Sequence, residues 1–241
     1  MAALAREYYV PPEQRAYTYE QLRQELREEA RRQNERMAAE RRECEQRRIA
    51  ERLGHSGIPP RFQDRRLDNW HNRTEDHRRA HATASAYAQR FPQLREQGTC
   101  LRLAGGPGTG KTHLACGILA SVIEQGYTGA FVTMSELLRM IRATYQAGAE
   151  RHESEVIDDF IAPDLLALDE VGVAIGNAET RRTLLFDVLN GRYQARRPTI
   201  LIGNLTPQEI DQYLGERIAD RLAEDGGLTI DCRWASERTQ R

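Results

Sequence analysis

The chain has 241 residues with 35 basic and 36 acidic side chains, and its formal net charge of −1 demands neither a nucleic-acid nor a strongly charged protein partner. Hydrophobic residues make up 39%, enough for a single good core but below the usual share. No apolar run is long enough to cross a membrane, Met1 to Leu4 is too short for a signal core, and Cys44, Cys100, Cys116 and Cys232 lack C-x-x-C spacing, so a cytoplasmic, reducing setting with no membrane partner, zinc site or disulfide framework is expected.

Between Glu13 and Arg66 the chain carries 14 arginines and 11 acids with few large apolar residues. Glu20 to Leu53 holds no Pro or Gly, so it is predicted to run as one long helix. Its apolar side is thin: Leu22, Leu26 and Ala30 keep an i, i+4 step and form a narrow stripe. Such a stripe is too small to bury itself and suits a partner's groove, although a solvated spacer helix has the same composition. Gly54 to Pro60 breaks any helix and reads as a linker. The expected division is a charged, partner-docking helical arm over 1–56 and a second domain over 57–241.

Beyond the linker, strand and helix patterns alternate. Strands are predicted at Thr99–Ala104, Ala130–Met134, Leu165–Leu168 and Thr199–Ile202, and helices at Thr112–Gln125, from Ser135, and at Glu179–Ala195. Alternation of this kind predicts an α/β fold, a parallel sheet covered by helices on both faces.

Gly105-Gly106-Pro107-Gly108-Thr109-Gly110-Lys111-Thr112 fits G-x-x-x-x-G-K-[ST] between a predicted strand and a predicted helix. Its glycines let successive backbone N–H groups surround phosphates, Lys111 reaches the β and γ oxygens of ATP, Thr112 offers its hydroxyl to Mg²⁺, and the helix directs its positive end at the same anion. His113 follows directly and is counted with the nucleotide-binding residues. Lys111 is the only lysine in the chain, every other basic residue being arginine. Leu165 to Leu168 then leads into Asp169 and Glu170: the first is placed to hold Mg²⁺ and the second to polarise an attacking water. Thr199 to Ile202 ends in Gly203-Asn204, where Asn204 either faces the γ-phosphate or makes an ordinary turn. Arg217 and Arg221, four apart, share a helical face, as a surface salt-bridge helix does and as an arginine finger for a neighbouring subunit's phosphate does.

With these residues in hand, the chain from Gly57 onward resembles the DnaC family of bacterial helicase loaders, in the AAA+ class. The resemblance rests on Gly57-Ile58-Pro59-Pro60-Arg61-Phe62, Leu67-Asp68-Asn69-Trp70, the two acid- and lysine-bearing motifs (Walker B and Walker A), Gly203-Asn204, and Gly215-Glu216-Arg217 with Asp220-Arg221. It implies that Asn204 is sensor 1, Arg217 the arginine finger with Arg221 beside it, and Arg238 a sensor 2 arginine acting in cis. It also implies an AAA+ core without a full C-terminal lid, since 20 residues follow Arg221. The family shares with the initiator DnaA an extra helical stretch before Walker B, here Ser135 to Phe160. Tyr145 would be its stacking platform for single-stranded DNA, with Arg139 and Arg142 near the phosphates.

The function implied is an ATP-dependent loader that self-assembles into a ring or open spiral, grips the replicative helicase hexamer through its arm and delivers it onto single-stranded DNA. A transposition helper resembling IstB, recognising duplex DNA and a transposase, is the alternative. A nucleotide-binding adaptor without turnover is opposed by Glu170, Asn204 and Arg217, none of which it needs.

Because Lys111 is the lone lysine, an amine-reactive ATP analogue should label one internal site, apart from the N-terminal amine, and excess ATP should protect it. Peptide mapping by mass spectrometry checks this, and labelling indifferent to ATP contradicts the loop assignment.

Overall fold

The computed structural model describes residues 19–52, 58–173, 177–224 and 226–237. Arg238 and the Gly54–Gly57 portion of the expected linker lie outside these residues, as does the side chain of Leu22. The chain divides into two compact units, Met1–Glu43 and Cys44–Arg241.

The first unit is the leading part of helix α1 (Tyr19–Arg52). Its described surface is solvated almost throughout and laced by i, i+4 contacts, Gln24 to Glu28 at 3.2 Å and Arg31 to Glu35 at 2.9 Å. Exposed pairs of this kind contribute only a few tenths of a kcal/mol each. Leu26 and Met37 stand out as large apolar side chains exposed on this helix, and Ala30 is exposed with them.

The second unit is built on five parallel strands: β1 (Leu101–Gly105), β2 (Gly129–Thr133), β3 (Leu165–Val171), β4 (Thr199–Gly203) and β5 (Leu228–Cys232), in the order β2-β3-β4-β1-β5. The central strands β3 (through Leu168) and β4 read as nearly continuous apolar runs because both faces are covered. Alternate side chains feed two cores. Leu166, Leu168 and Leu201 face one, under α5 (Met134–Ala143), α6 (Glu153–Ile161), α7 (Ala178–Gln194), α8 (Pro207–Leu214) and α9 (Glu216–Glu224). Leu165, Ala167, Ile200 and Ile202 face the other, under α2 (Glu75–Gln89), α3 (Phe91–Gln97) and α4 (Lys111–Glu124). The four predicted strands and the predicted helices appear within a few residues of their expected ends. Sequence patterning did not foresee α2, α3, α8 or β5.

This winding positions the site. β1 and β4 are neighbours, yet the chain leaves β1 toward α4 on one face and leaves β4 toward α8 on the other. Where connections diverge between adjacent parallel strands, a crevice opens at their C-terminal ends. The glycine loop and Asn204 flank that crevice.

One buried cation ties the lower ends of the strands together. Arg192 on α7 is 1% exposed and pairs with no carboxylate among the described residues. Instead its guanidinium donates to Thr199 Oγ1 and to the carbonyls of Phe160, Ile161, Pro163 and Pro198, at 2.6–3.1 Å. Burial pulls its pKa down to about 9, so it remains charged at neutral pH. Replacing Arg192 with Met fills the volume but leaves those acceptors buried without a donor, and urea unfolding should show a loss of about 3–5 kcal/mol. A loss below about 1 kcal/mol contradicts this account of the residue.

Candidate nucleotide site

The glycine loop turns between β1 and α4. Gly105, Gly108 and Gly110 all hold positive φ, the conformation that rotates backbone N–H groups toward a common centre. Gly110 is also a point of close approach, since a Cβ there would lie 2.6 Å from the Trp70 ring. Thr109 is buried and closes the loop by donating its hydroxyl to the Gly106 carbonyl at 2.9 Å. Lys111 is buried at the start of α4, its Nζ donating to the carbonyls of Gly105 at 2.8 Å and Gly106 at 2.6 Å. Pro107 and Gly106 are exposed at the loop's crest.

The acid pair comes from β3. Asp169 Oδ2 accepts the Thr112 hydroxyl at 2.9 Å, and Oδ1 accepts the Glu170 N–H at 2.7 Å. Burial raises the Asp169 pKa above the ordinary aspartate range, against the opposing pull of those hydrogen bonds and of Lys111. The same burial, with Asp169 nearby, lifts the Cys116 thiol to about 12, so it is inert at neutral pH.

A bulge aims these acids. β3 and β4 pair Leu168 with Leu201 and then Val171 with Gly203, so Asp169 and Glu170 stand opposite the single residue Ile202. Glu170 takes φ 62°, uncommon for a side chain of its size, and is exposed at the rim. The strands close tightly around the bulge: a Cβ on Gly203 would lie 2.6 Å from the Val171 carbonyl oxygen. Asn204 follows directly and is exposed, between the ends of β3 and β1.

Residues that sequence reasoning gave no role brace the loop from behind. Trp234, just past β5, donates its indole N–H to the Thr109 carbonyl at 3.0 Å, and the Glu237 N–H donates to the Gly108 carbonyl at 2.9 Å. Glu237 also pairs with Arg73 at 2.7 Å. The period-2 apolar run Leu228, Ile230, Cys232 was the signal that a strand lay here. His113 turns toward the 66–70 segment, its Nε2 at 3.0 Å from the Arg66 carbonyl and 2.9 Å from Asn69 Oδ1, with its ring edge-on to Trp70. Both partners are acceptors, so Nε2 carries a proton; burial lowers the pKa and favours the neutral ring.

The outlying residues fall in two places. On α9, Arg217 is exposed, whereas Arg221 donates to Asn190 Oδ1 and lies over the Phe186 and Tyr193 rings of its own chain. The pair therefore does not present two equivalent arginines. Along α5, Arg139 and Arg142 line one groove with Ser135, Leu138, Ala143 and Gln146. Tyr145, just past that helix, is 56% exposed and is not packed into the core.

Sheet order, glycine loop and acid pair define the ATP-binding core of the AAA+ class. The chain belongs to the IstB-like ATP binding protein family, whose model matches residues 19–225. It is 28% identical over 186 residues to the replicative helicase loader DnaC of Buchnera aphidicola subsp. Baizongia pistaciae (strain Bp), covering 77% of this chain and 74% of that one. The crystal structure of the DnaC helicase loader matches with a TM-score of 0.63 at 23% identity, over 72% of this chain and 99% of that one. The replication initiator DnaA bound to AMPPCP and single-stranded DNA matches with a TM-score of 0.60 at 21% identity, over 74% and 51%.

The raised pKa of Asp169 has a stability consequence with a definite sign. A carboxylate whose pKa is higher folded than unfolded destabilises the fold once pH exceeds the unfolded value, and the full cost is present above the folded value. Asp169→Asn should therefore stabilise the nucleotide-free protein at pH 7 by ~0.5–2 kcal/mol, a gap that closes as pH falls below the unfolded aspartate range near ~4. Thermal unfolding of both proteins across pH checks it; an asparagine variant less stable at pH 7 contradicts it.

Proposed function

We propose that the protein is a magnesium-dependent ATPase that loads a replicative helicase onto single-stranded DNA. The reading is carried by one combination: an ATP site with both an acid pair and a polar rim, on a chain that also carries the long, exposed, charged helix Tyr19–Arg52. The donor set fits Mg²⁺, a hard cation served by oxygen ligands, because Thr112 and Asp169 bring a hydroxyl and a carboxylate within 2.9 Å of each other at the loop. Held there, the ion would supply positive charge that offsets the charge of the phosphates. Lys111 holds the phosphates, Glu170 takes the proton of the attacking water, and Asn204 orients that water. Arg217, exposed at the start of α9, reaches a neighbouring subunit's phosphate in a head-to-tail ring or spiral, while Arg221 anchors α9 on α7. Arg238 is proposed as the cis-acting sensor arginine.

The DNA contact proposed is the groove of Arg139 and Arg142 together with exposed Tyr145, just past that helix in sequence, arginines for phosphates and the ring for a base. That a DnaA with this fold has been solved with single-stranded DNA supports the reading. The arm over 1–56 docks the helicase through Leu22, Leu26 and Ala30, and 57–241 forms the ATPase domain. The name of the relative at 28% identity, replicative helicase loader, favours this partner. A transposition helper is the second reading, favoured by the family match itself, which runs through the arm helix.

Leu22→Asp with Leu26→Asp in the full chain should abolish capture by a replicative helicase hexamer and leave ATP affinity within about twofold, because the flanking charges set register and on-rate more than affinity. Pull-down against helicase and transposase in parallel checks this. Capture of the transposase alone by the unaltered chain, or undiminished helicase capture by the double variant, contradicts the loader reading.

A further inference from the structure

The bulged end of β3 needs an external brace. Glu170 sits at φ 62°, and the chain then turns at once: the Val173 N–H donates to the Glu170 carbonyl at 3.2 Å across Gly172, itself at φ 105°. Left-handed backbone at a glutamate is unfavourable and persists only where surroundings over-determine it. One wall of the turn is Leu205, so close to Gly172 that a Cβ there would lie 2.3 Å from its side chain. Leu205 belongs to the loop that carries Asn204, so sensor loop and acid turn are in contact.

The far end of the turn is held by a residue outside the motifs. Tyr213, in the last turn of α8, donates its hydroxyl to the Val173 carbonyl at 3.1 Å. The ring is fixed in turn by the Arg181 guanidinium, 4.8 Å above its centroid. α8 is itself anchored, since Asp211 pairs with Arg102 on β1 at 2.6 Å, in the strand that enters the glycine loop. Two residues beyond Tyr213 the chain passes Gly215 into α9, at whose start Arg217 lies.

We propose that Tyr213 is a positioning residue for hydrolysis: its hydroxyl locks the Glu170–Val173 turn and so fixes where the Glu170 carboxylate points. It touches neither nucleotide nor the reacting water in this scheme. The proposal rests on the reading of Glu170 as general base. It makes the C-terminal half of α8 a mechanical link, tied to β1 through Asp211 and to the acid turn through Tyr213, next to the helix that would face the neighbouring subunit.

Tyr213→Phe is the decisive variant, because it keeps the ring under the Arg181 guanidinium and removes the hydroxyl, with its bonds to Val173 and to the Arg181 side chain. Steady-state hydrolysis of Mg-ATP should show kcat reduced roughly 3- to 10-fold, on the scale of a hydrogen bond's contribution, with KM for ATP unchanged and the unfolding midpoint lowered by no more than about a few degrees. In a Glu170→Gln background the same change should have no further effect on the residual rate, since a residue acting through Glu170 has nothing left to position. An unchanged kcat in Tyr213→Phe, an equal multiplicative loss in the double variant, or a loss confined to stability would each overturn the proposal. If the unaltered chain does not hydrolyse ATP, or Glu170→Gln does so at the full rate, it is the general-base reading that fails.

Discussion

Everything at the site depends on the 2.9 Å contact between the Thr112 hydroxyl and the Asp169 carboxylate. These groups are 57 residues apart in sequence, one on the helix α4 that follows β1 and the other on β3. β4 lies between β1 and β3, so the helix that follows the glycine loop reaches across a strand to meet the acid. That strand order is the geometric condition for bringing a hydroxyl, a carboxylate and a ring of backbone donors to one point. It also explains why the intervening strand ends in Gly203-Asn204: the glycine admits the Val171 carbonyl, and the asparagine emerges between loop and acid.

The arrangement is costly for the empty fold. A buried lysine, a partly buried aspartate with a raised pKa and a left-handed glutamate are concentrated at the glycine loop and the end of β3. Such features persist where the neighbours are rigid. The rigidity comes from outside the motifs: Trp234 and Glu237 bond the back of the glycine loop, Trp70 packs on Gly110, and Arg192 pins the opposite ends of β3 and β4. The chemistry is carried by few residues, and most of the second unit serves to keep them in place.

How far this was legible in the sequence follows from what kind of signal each part leaves. The loop and the acid strand were legible because their chemistry dictates residue type at fixed spacing, and the central strands because burial on both faces makes them uniformly apolar. β5 was not, since an edge strand with two exposed residues at its start leaves only a short alternation among polar neighbours. α2 escaped because its buried face is mainly alanine, which carries little amphipathic contrast. His113 and Arg221 show a different limit. Spacing says which residues they adjoin in sequence but not where their side chains go: one turns toward Asn69 and the other onto Phe186 and Tyr193. Tyr213 was invisible in the sequence, because its partner is a backbone carbonyl and no residue type at position 173 announces the contact.

The central claim is that the bulged acid pair performs hydrolysis at a site the glycine loop fills with Mg-ATP. Single-turnover hydrolysis by Glu170→Gln, set beside its equilibrium affinity for Mg-ATP, tests it most directly. The account predicts affinity within about twofold of the unaltered chain and a hydrolysis rate lower by roughly 10²–10⁴, the contribution of a positioned general base. Hydrolysis at the unaltered rate, or loss of ATP binding along with it, would contradict the assignment of chemistry to this strand end.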